Sequence, residues 1–269
     1  MTAGLNLLAA EVVERFYLFL WPMLRISALL ATAPPFSTSA FTVRLRVLMA
    51  MVLAWFVYPQ HDWPTIDPVS AAGVLEIGNQ IFIGATMGLT LQVVVAALVV
   101  AGQALSAAMG LSMANMIDPS VGNVPVLSQA LIVFSTLIFM GFGGHALLLS
   151  LVLQSFETLP IGASVLDQDA FGRVLRWSAM MFVGAVLLAL PVLVMLLFIN
   201  IGLGVVTRAA PSLNIFAVGF PALIAVGLLV LMLSMSGIGE RIEWLWLRGF
   251  DQLRALLNAC GEQVKVKAR

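Results

Sequence analysis

The most informative ionisable residue in this chain is an arginine among aliphatic and aromatic side chains: Arg25 lies inside the apolar run Phe16 to Ala33. A guanidinium there is costly unless it faces protein or water or snorkels to an interface on its long stem, and the residues leave both placements open. The other reactive groups are scattered. His61 and His145 have no ligand cluster nearby and read as structural or interfacial. The single cysteine, Cys260, excludes an internal disulfide and a multi-cysteine metal site. There is no Gly-rich phosphate loop, no HExxH and no Ser/His/Asp set at a readable spacing, and acidic residues fall mostly in connectors. The chain therefore reads as a non-enzyme with no cofactor and no metal.

Two stretches gather polar groups among apolar ones. Gly110-Leu-Ser-Met-Ala-Asn-Met-Ile-Asp-Pro-Ser-Val-Gly-Asn-Val-Pro125 is punctuated by turn dipeptides and prolines, so it should be a loop. It also carries Leu111, Met113, Met116, Ile117, Val121 and Val124 with no lysine or arginine, which is too apolar for a free hydrophilic connector. Unwound backbone between membrane-type helices is tolerated where protein buries it or where it lines an aqueous cavity. The expectation is a loop lying in or across a pore. The second stretch is a stripe, Gln80, Gly84, Gly88, Gln92, Gly102, Gln103, Ser106 and Gly110, on one side of a long helix. Helix packing alone accounts for its glycines, and the glutamines on the same face favour a subunit contact or a wet wall.

What must position these residues follows from composition. Of 269 residues, 61% are hydrophobic and 10% charged, with a mean hydropathy of +1.07. Soluble domains carry roughly 25% charged residues, so this is a polytopic membrane protein. The formal net charge of +0 suggests neither nucleic acid nor a strongly charged partner. Glu11, Glu14 and Arg15 precede the first apolar run, which reads as a retained helix rather than a cleavable signal.

In order, the first run ends at Pro34-Pro35, and Arg44 and Arg46 open a second, Val47 to Tyr58, closed by Pro59. The arginines fit the cytoplasmic side and the acidic loop Gln60 to Ser70 the opposite one. Val74 to Gly110 lacks proline and as one helix would span roughly 55 Å, well beyond a hydrocarbon core of about 30 Å. Val126 to Leu153 should be interrupted at Gly141-Phe-Gly-Gly144. A helix starting near Arg173 and Arg176, the run Trp177 to Gly204 with Pro191 inside it, a structured turn from Val205 to Pro221, and the run Ala222 to Met235 follow. From Gly239, Ile242, Leu245, Trp246, Phe250, Leu253, Leu256 and Leu257 recur at helical spacing, predicting an amphipathic helix at a membrane surface or against a partner, frayed beyond Gly261. The fold class is all-α: about six long, partly broken helices arranged as hairpins plus this tail, with both termini outside. The basic residues of the tail argue against that orientation.

Two segments together resemble a known family. Thr207-Arg-Ala-Ala-Pro-Ser-Leu-Asn-Ile-Phe-Ala-Val-Gly-Phe-Pro221 is similar to the signature loop of the FliR family, an inner-membrane component of the flagellar type III export gate related to the injectisome SctT family. The stretch 110–125 sits where that family has its central loop, and the Arg25, Pro34, Arg44 and Arg46 spacing is also similar. The resemblance runs from about residue 12 to residue 258, and the Ile-Phe-Ala-Val-Gly-Phe form looks flagellar rather than injectisome-like. Residues 1–172 would be a FliP-like part and 173–269 a FliQ-like hairpin with its tail. The resemblance implies a hetero-oligomeric gate with one copy of this chain beside FliP-like and FliQ-like proteins. FlhB-like and FlhA-like proteins and unfolded export substrates would complete the set of partners. It also implies an inner-membrane site at the flagellar basal body, with much of the chain raised to the periplasmic side.

On that reading Gly110, Ser112, Met113, Asn115, Met116, Asp118, Pro119 and Gly122 belong to the plug of the closed channel. Gln80, Gly84, Gly88, Gln92, Gly102 and Gln103 pack against subunits, and Arg208, Pro211, Asn214, Phe216, Gly219 and Pro221 form the cytoplasmic turn. Flexible methionines suit a soft seal, glycines suit loop movement, and few charges are present to trap a passing chain. The alternative is a secondary transporter or small-solute channel, supported by broken helices, although no internal repeat is evident and Arg25 is the main intramembrane charge.

Overall fold

The computed structural model describes residues 2–38, 41–61, 63–111, 126–162, 168–209 and 215–267. Their regular structure is all helical: α1 Thr2–Thr32, α2 Val43–Val57 with a 3-10 turn Tyr58–Gln60, α3 Ala71–Ala108, α4 Val126–Gly141, α5 Gly144–Thr158, α6 Gln168–Ser178, α7 Met180–Ala209, α8 Ile215–Leu233 and α9 Met235–Lys267. Among the described residues, three segments are long and apolar enough to cross a membrane, Val43–Gln60, Ala71–Ala108 and Gly172–Val206. Two bent pairs, α4 with α5 at 68° and α8 with α9 at 61°, raise the number to five if each is one broken span.

Local chemistry sets the boundaries. Ser70 caps α3, its Oγ accepting from the Gly73 backbone N–H at 3.0 Å, and Thr42 caps α2 in the same way through Leu45. The glycine cluster interrupts the helix where expected: Gly143 takes a left-handed φ of +77° after α4, and a side chain at Gly144 would collide with Phe139. Pro22, Pro191 and Pro221 lie inside helices without ending them.

The chain divides into two compact units. One comprises Met1–Gln92, His145–Ser178 and Gly249–Arg269; the other comprises Val93–Gly144 and Ala179–Arg248. In the first, α1 buries Trp21, Arg25 and Leu29 on one side and Ile26 and Leu30 beside them, the spacing of a helix face, and Ala33 just past its end is buried too. In the second, Trp246 is buried against Phe139 with ring centroids 4.6 Å apart and donates from Nε1 to Ser135 Oγ at 2.9 Å.

Three expectations are corrected. The apolar side of α9 is not a free amphipathic surface: Ile242, Leu245, Trp246, Phe250, Leu253, Leu256 and Leu257 are all buried within the chain itself. A stripe of bulky apolar residues at helical spacing is satisfied by any apolar neighbour, including its own chain. The helix also continues past Gly261 to Lys267. Much of the turn expected over 205–221 is helix, because α7 runs to Ala209 and α8 starts at Ile215; a proline in a membrane-type helix need not end it.

Candidate functional site

Arg25 is buried at 1% exposure, so the snorkelling alternative does not hold. Its planar fork is met from two directions. On one side Nε donates to Gln80 Oε1 of α3 at 2.7 Å. On the other, Nη1 donates to the Ser155 carbonyl at 2.7 Å and to Ser155 Oγ at 3.1 Å, and Nη2 donates to the Leu159 carbonyl at 2.8 Å. These carbonyls belong to the last turn of α5 and its cap, where a helix leaves acceptors unpaired and carries partial negative charge. The Phe156 ring lies 4.3 Å from the guanidinium carbon and itself meets Trp63 edge-on. An arginine is the side chain whose rigid donor fork fits several fixed acceptors at once.

Sequence reasoning missed the counter-charge. Glu76, in α3 rather than in a connector, is 4% exposed and accepts from Asn79 Nδ2 at 3.2 Å and from Gln80 Nε2. Gln80 thus stands between the two charges, its oxygen toward Arg25 and its nitrogen toward Glu76. The spacing Glu76, Asn79, Gln80, Ile83, Gly84 marks one buried face of α3 and was the available signal.

The expected packing stripe is used within each unit. A Cβ on Gly84 would lie 2.2 Å from the Arg25 carbonyl oxygen and one on Gly88 2.7 Å from the Ala33 nitrogen, so α1 and α3 touch backbone to backbone in the manner of small residues four apart. Gln92 is partly covered, with Oε1 buried and unpaired, and Gln103 is exposed.

In the second unit the structure describes the two stems of the central loop. Gly110, at φ +76°, ends α3 with its N–H on the Ala107 carbonyl, and Met109 just before it is fully buried. The Met109 side chain lies against Gly227 of α8, where a Cβ would come within 2.8 Å of Met109 Cγ. At the other stem a Cβ on Gly102 would lie 2.4 Å from Ser128 Cα, and Ser128 Oγ donates to the Val99 carbonyl at 3.0 Å. The start of α4 is thereby fixed on the last turns of α3. Ser112, Met113, Asn115, Met116, Asp118, Pro119 and Gly122 lie outside the described residues, as do Pro211 and Asn214. Arg208 is in the last turn of α7, and Phe216, Gly219 and Pro221 are in α8.

Fold and sites together define a helical membrane protein with two bent helix pairs. Among the described residues no group of three metal-binding side chains occurs. The family model "Bacterial export proteins, family 1" matches residues 16–248, and the chain belongs to that family, the FliR family. It is 38% identical over 241 residues to the flagellar biosynthetic protein FliR of Pectobacterium carotovorum subsp. carotovorum, covering 89% of this chain and 92% of the relative. It is 34% identical to FliR of Escherichia coli strain K12, covering 90% and 93%, and 28% identical to FliR of Bacillus subtilis strain 168, covering 93% and 98%.

Proposed function

We propose that this chain is the FliR-type subunit of a flagellar protein export gate in the bacterial inner membrane, with the segment 110–125 as part of the plug that closes the channel. The observation that carries the reading is the pair of anchored stems. Met109 on Gly227 and Gly102 on Ser128 hold both ends of an apolar, Gly- and Pro-rich segment in fixed positions. A seal needs that combination: rigid attachment outside the moving part, and soft side chains such as Met113 and Met116 within it. Unfolded export substrates would pass when the segment is displaced.

The same reading assigns the partners. One copy of this chain completes a ring with FliP-like and FliQ-like subunits, 1–172 serving as the FliP-like part and 173–269 as the FliQ-like part. A FlhB-like protein meets the cytoplasmic entrance near Arg208, a FlhA-like protein completes the machine, and much of the assembly stands toward the periplasm. Exposed Gln103, beside the buried Gly102, is the member of the polar stripe best placed for a neighbouring subunit. The transporter alternative gains nothing from the buried charges, because Arg25 and Glu76 are engaged with fixed partners.

The test is native mass spectrometry of the complex carried by a C-terminally tagged chain, followed by ion permeability of the assembled gate lacking 112–122. One tagged copy with several copies of two other membrane proteins, and leakage after the deletion, are the expected results. A folded monomer or homodimer refutes the gate; an intact but impermeable deletion complex refutes the plug.

A further inference from the structure

We infer that Glu76 is a proton-binding site, with the side-chain amide of Asn79 as the acceptor for the bound proton. The two side chains stand one turn apart on α3, Glu76 at 4% and Asn79 at 8% exposure. One polar atom between them is left over. Asn79 Nδ2 donates to Glu76 Oε2 at 3.2 Å, but Asn79 Oδ1 is buried and has no hydrogen-bond partner among the described residues. A buried acceptor without a donor is costly, and it needs an account. The proton supplies one. Ionised, Glu76 only accepts; with a proton on Oε2 it also donates. Turning the Asn79 amide over puts Oδ1 where Nδ2 was, and Oε2–H donates to it along the same contact. The amide nitrogen then takes the place of the unpaired oxygen. In a helical unit the backbone N–H groups are consumed by the ladders, whereas each carbonyl keeps a second lone pair, so a nitrogen turned that way is easier to satisfy than an oxygen.

The other amide beside Glu76 is not free to do this. Gln80 Oε1 accepts from Arg25 Nε at 2.7 Å while Gln80 Nε2 donates to Glu76 Oε1, so turning Gln80 over would set donor against donor at Arg25. One carboxyl oxygen is thus locked and the other can change state. Arg25 keeps its bonds to Gln80, Ser155 and Leu159 in both states, and what changes is the charge of the buried cluster, from balanced to one net positive charge. Few other ionisable groups surround it within the unit. From α1 the charge is Arg25 itself. From α5 come Ser155 and the Leu159 carbonyl, with Glu157 exposed on the outside. Before α3 lie exposed Asp67 and His61, whose ring is 6.1 Å from that of Phe156. From α9 comes the Cys260 thiol, which shares a small cavity with Ile83 and Leu159. Glu76 lies in the second turn of α3 next to exposed Leu75, so the proton comes from water at that end of the helix. It binds and leaves at one place, with no passage through the chain.

The experiment is infrared difference spectroscopy, acid minus neutral, on the full chain within its native complex in liposomes, over the pH range in which the complex stays assembled. The carbonyl band of a protonated carboxyl should be present in the wild type and missing from Glu76→Gln. Asp67 and Glu157 titrate alike in both proteins and cancel. Equal spectra overturn the proton site. In Asn79→Leu the band should move to the higher frequency of an acid whose O–H donates to nothing, and an unmoved band overturns Asn79 as the acceptor. A second measurement needs no variant: the wild-type complex is made with asparagine isotope-labelled at its side-chain carbonyl. One labelled band should change with the same titration midpoint as the carboxyl band. Labelled bands that stay constant through that midpoint overturn the exchange at Asn79.

Discussion

Arg241 of α9 donates from Nη1 to the backbone carbonyl of Leu187 in α7, the carbonyl that Pro191 leaves without its helical partner. In a helix that carbonyl would accept from the N–H four residues on, and proline has none. The arginine therefore supplies the missing donor. Arg241→Ala should cost about 1 kcal/mol, the scale of one net hydrogen bond. Pro191→Ala restores the N–H and should make Arg241 dispensable, so the double variant should be more stable than the sum of the single effects predicts. Thermal midpoints of the four proteins in detergent check this, and strict additivity would show the two residues to be uncoupled.

Arg25 and Glu76 should not be equivalent. Arg25→Leu strips donors from Gln80, Ser155 and Leu159 and leaves Glu76 without its counter-charge, a loss of about 3–5 kcal/mol. Arg25→Lys keeps the charge but cannot reach both sides with one ammonium, so it should rescue only part of that loss. Glu76→Gln retains an acceptor and should be milder. The yield of folded protein in membranes ranks the three, and Lys at wild-type yield would show that the fork is not required.

Glycines divide sharply by what surrounds them. Gly84→Ala and Gly102→Ala press a methyl group into backbone atoms of α1 and α4 and should destabilise by about 1–3 kcal/mol. Gly78 and Gly237 have nothing within 4 Å of a built Cβ, and alanine there should be neutral or slightly stabilising through helix propensity. Melting temperatures of the four variants decide it.

Trp246→Phe removes the hydrogen bond to Ser135 but keeps a ring against Phe139, and about 1 kcal/mol should be lost. Trp246→Ala empties the position and should cost about 3–5 kcal/mol. Equal losses in thermal or denaturant unfolding would mean that the indole N–H contributes more than the ring.

Much of this was legible from residue order. Composition alone dictated a helical membrane protein, Gly110 marked the end of α3, and Gly141 to Gly144 marked a sharp corner. Glycine stops are local, so a short window suffices to read them. Partners distant in sequence were not readable. Nothing around Arg25 in the chain points to Ser155 or Leu159, and the spacing in α9 shows an apolar face without saying which surface covers it. Glu76 was overlooked because its neighbours on the buried face, Asn79 and Gln80, are read one at a time as polar residues rather than together as a charge mediator.

The bond from Arg25 to Leu159 also sets a schedule for biogenesis. The carbonyls that receive the guanidinium are made more than a hundred residues after it. At synthesis rates of about 5–20 residues per second, that is a wait of roughly ten seconds. During that interval α1 carries a cation met at most on its Gln80 side, which an insertion channel must either retain or pass to the membrane edge. The first helix made thus settles only after the fifth, and α5 is the element whose arrival releases it.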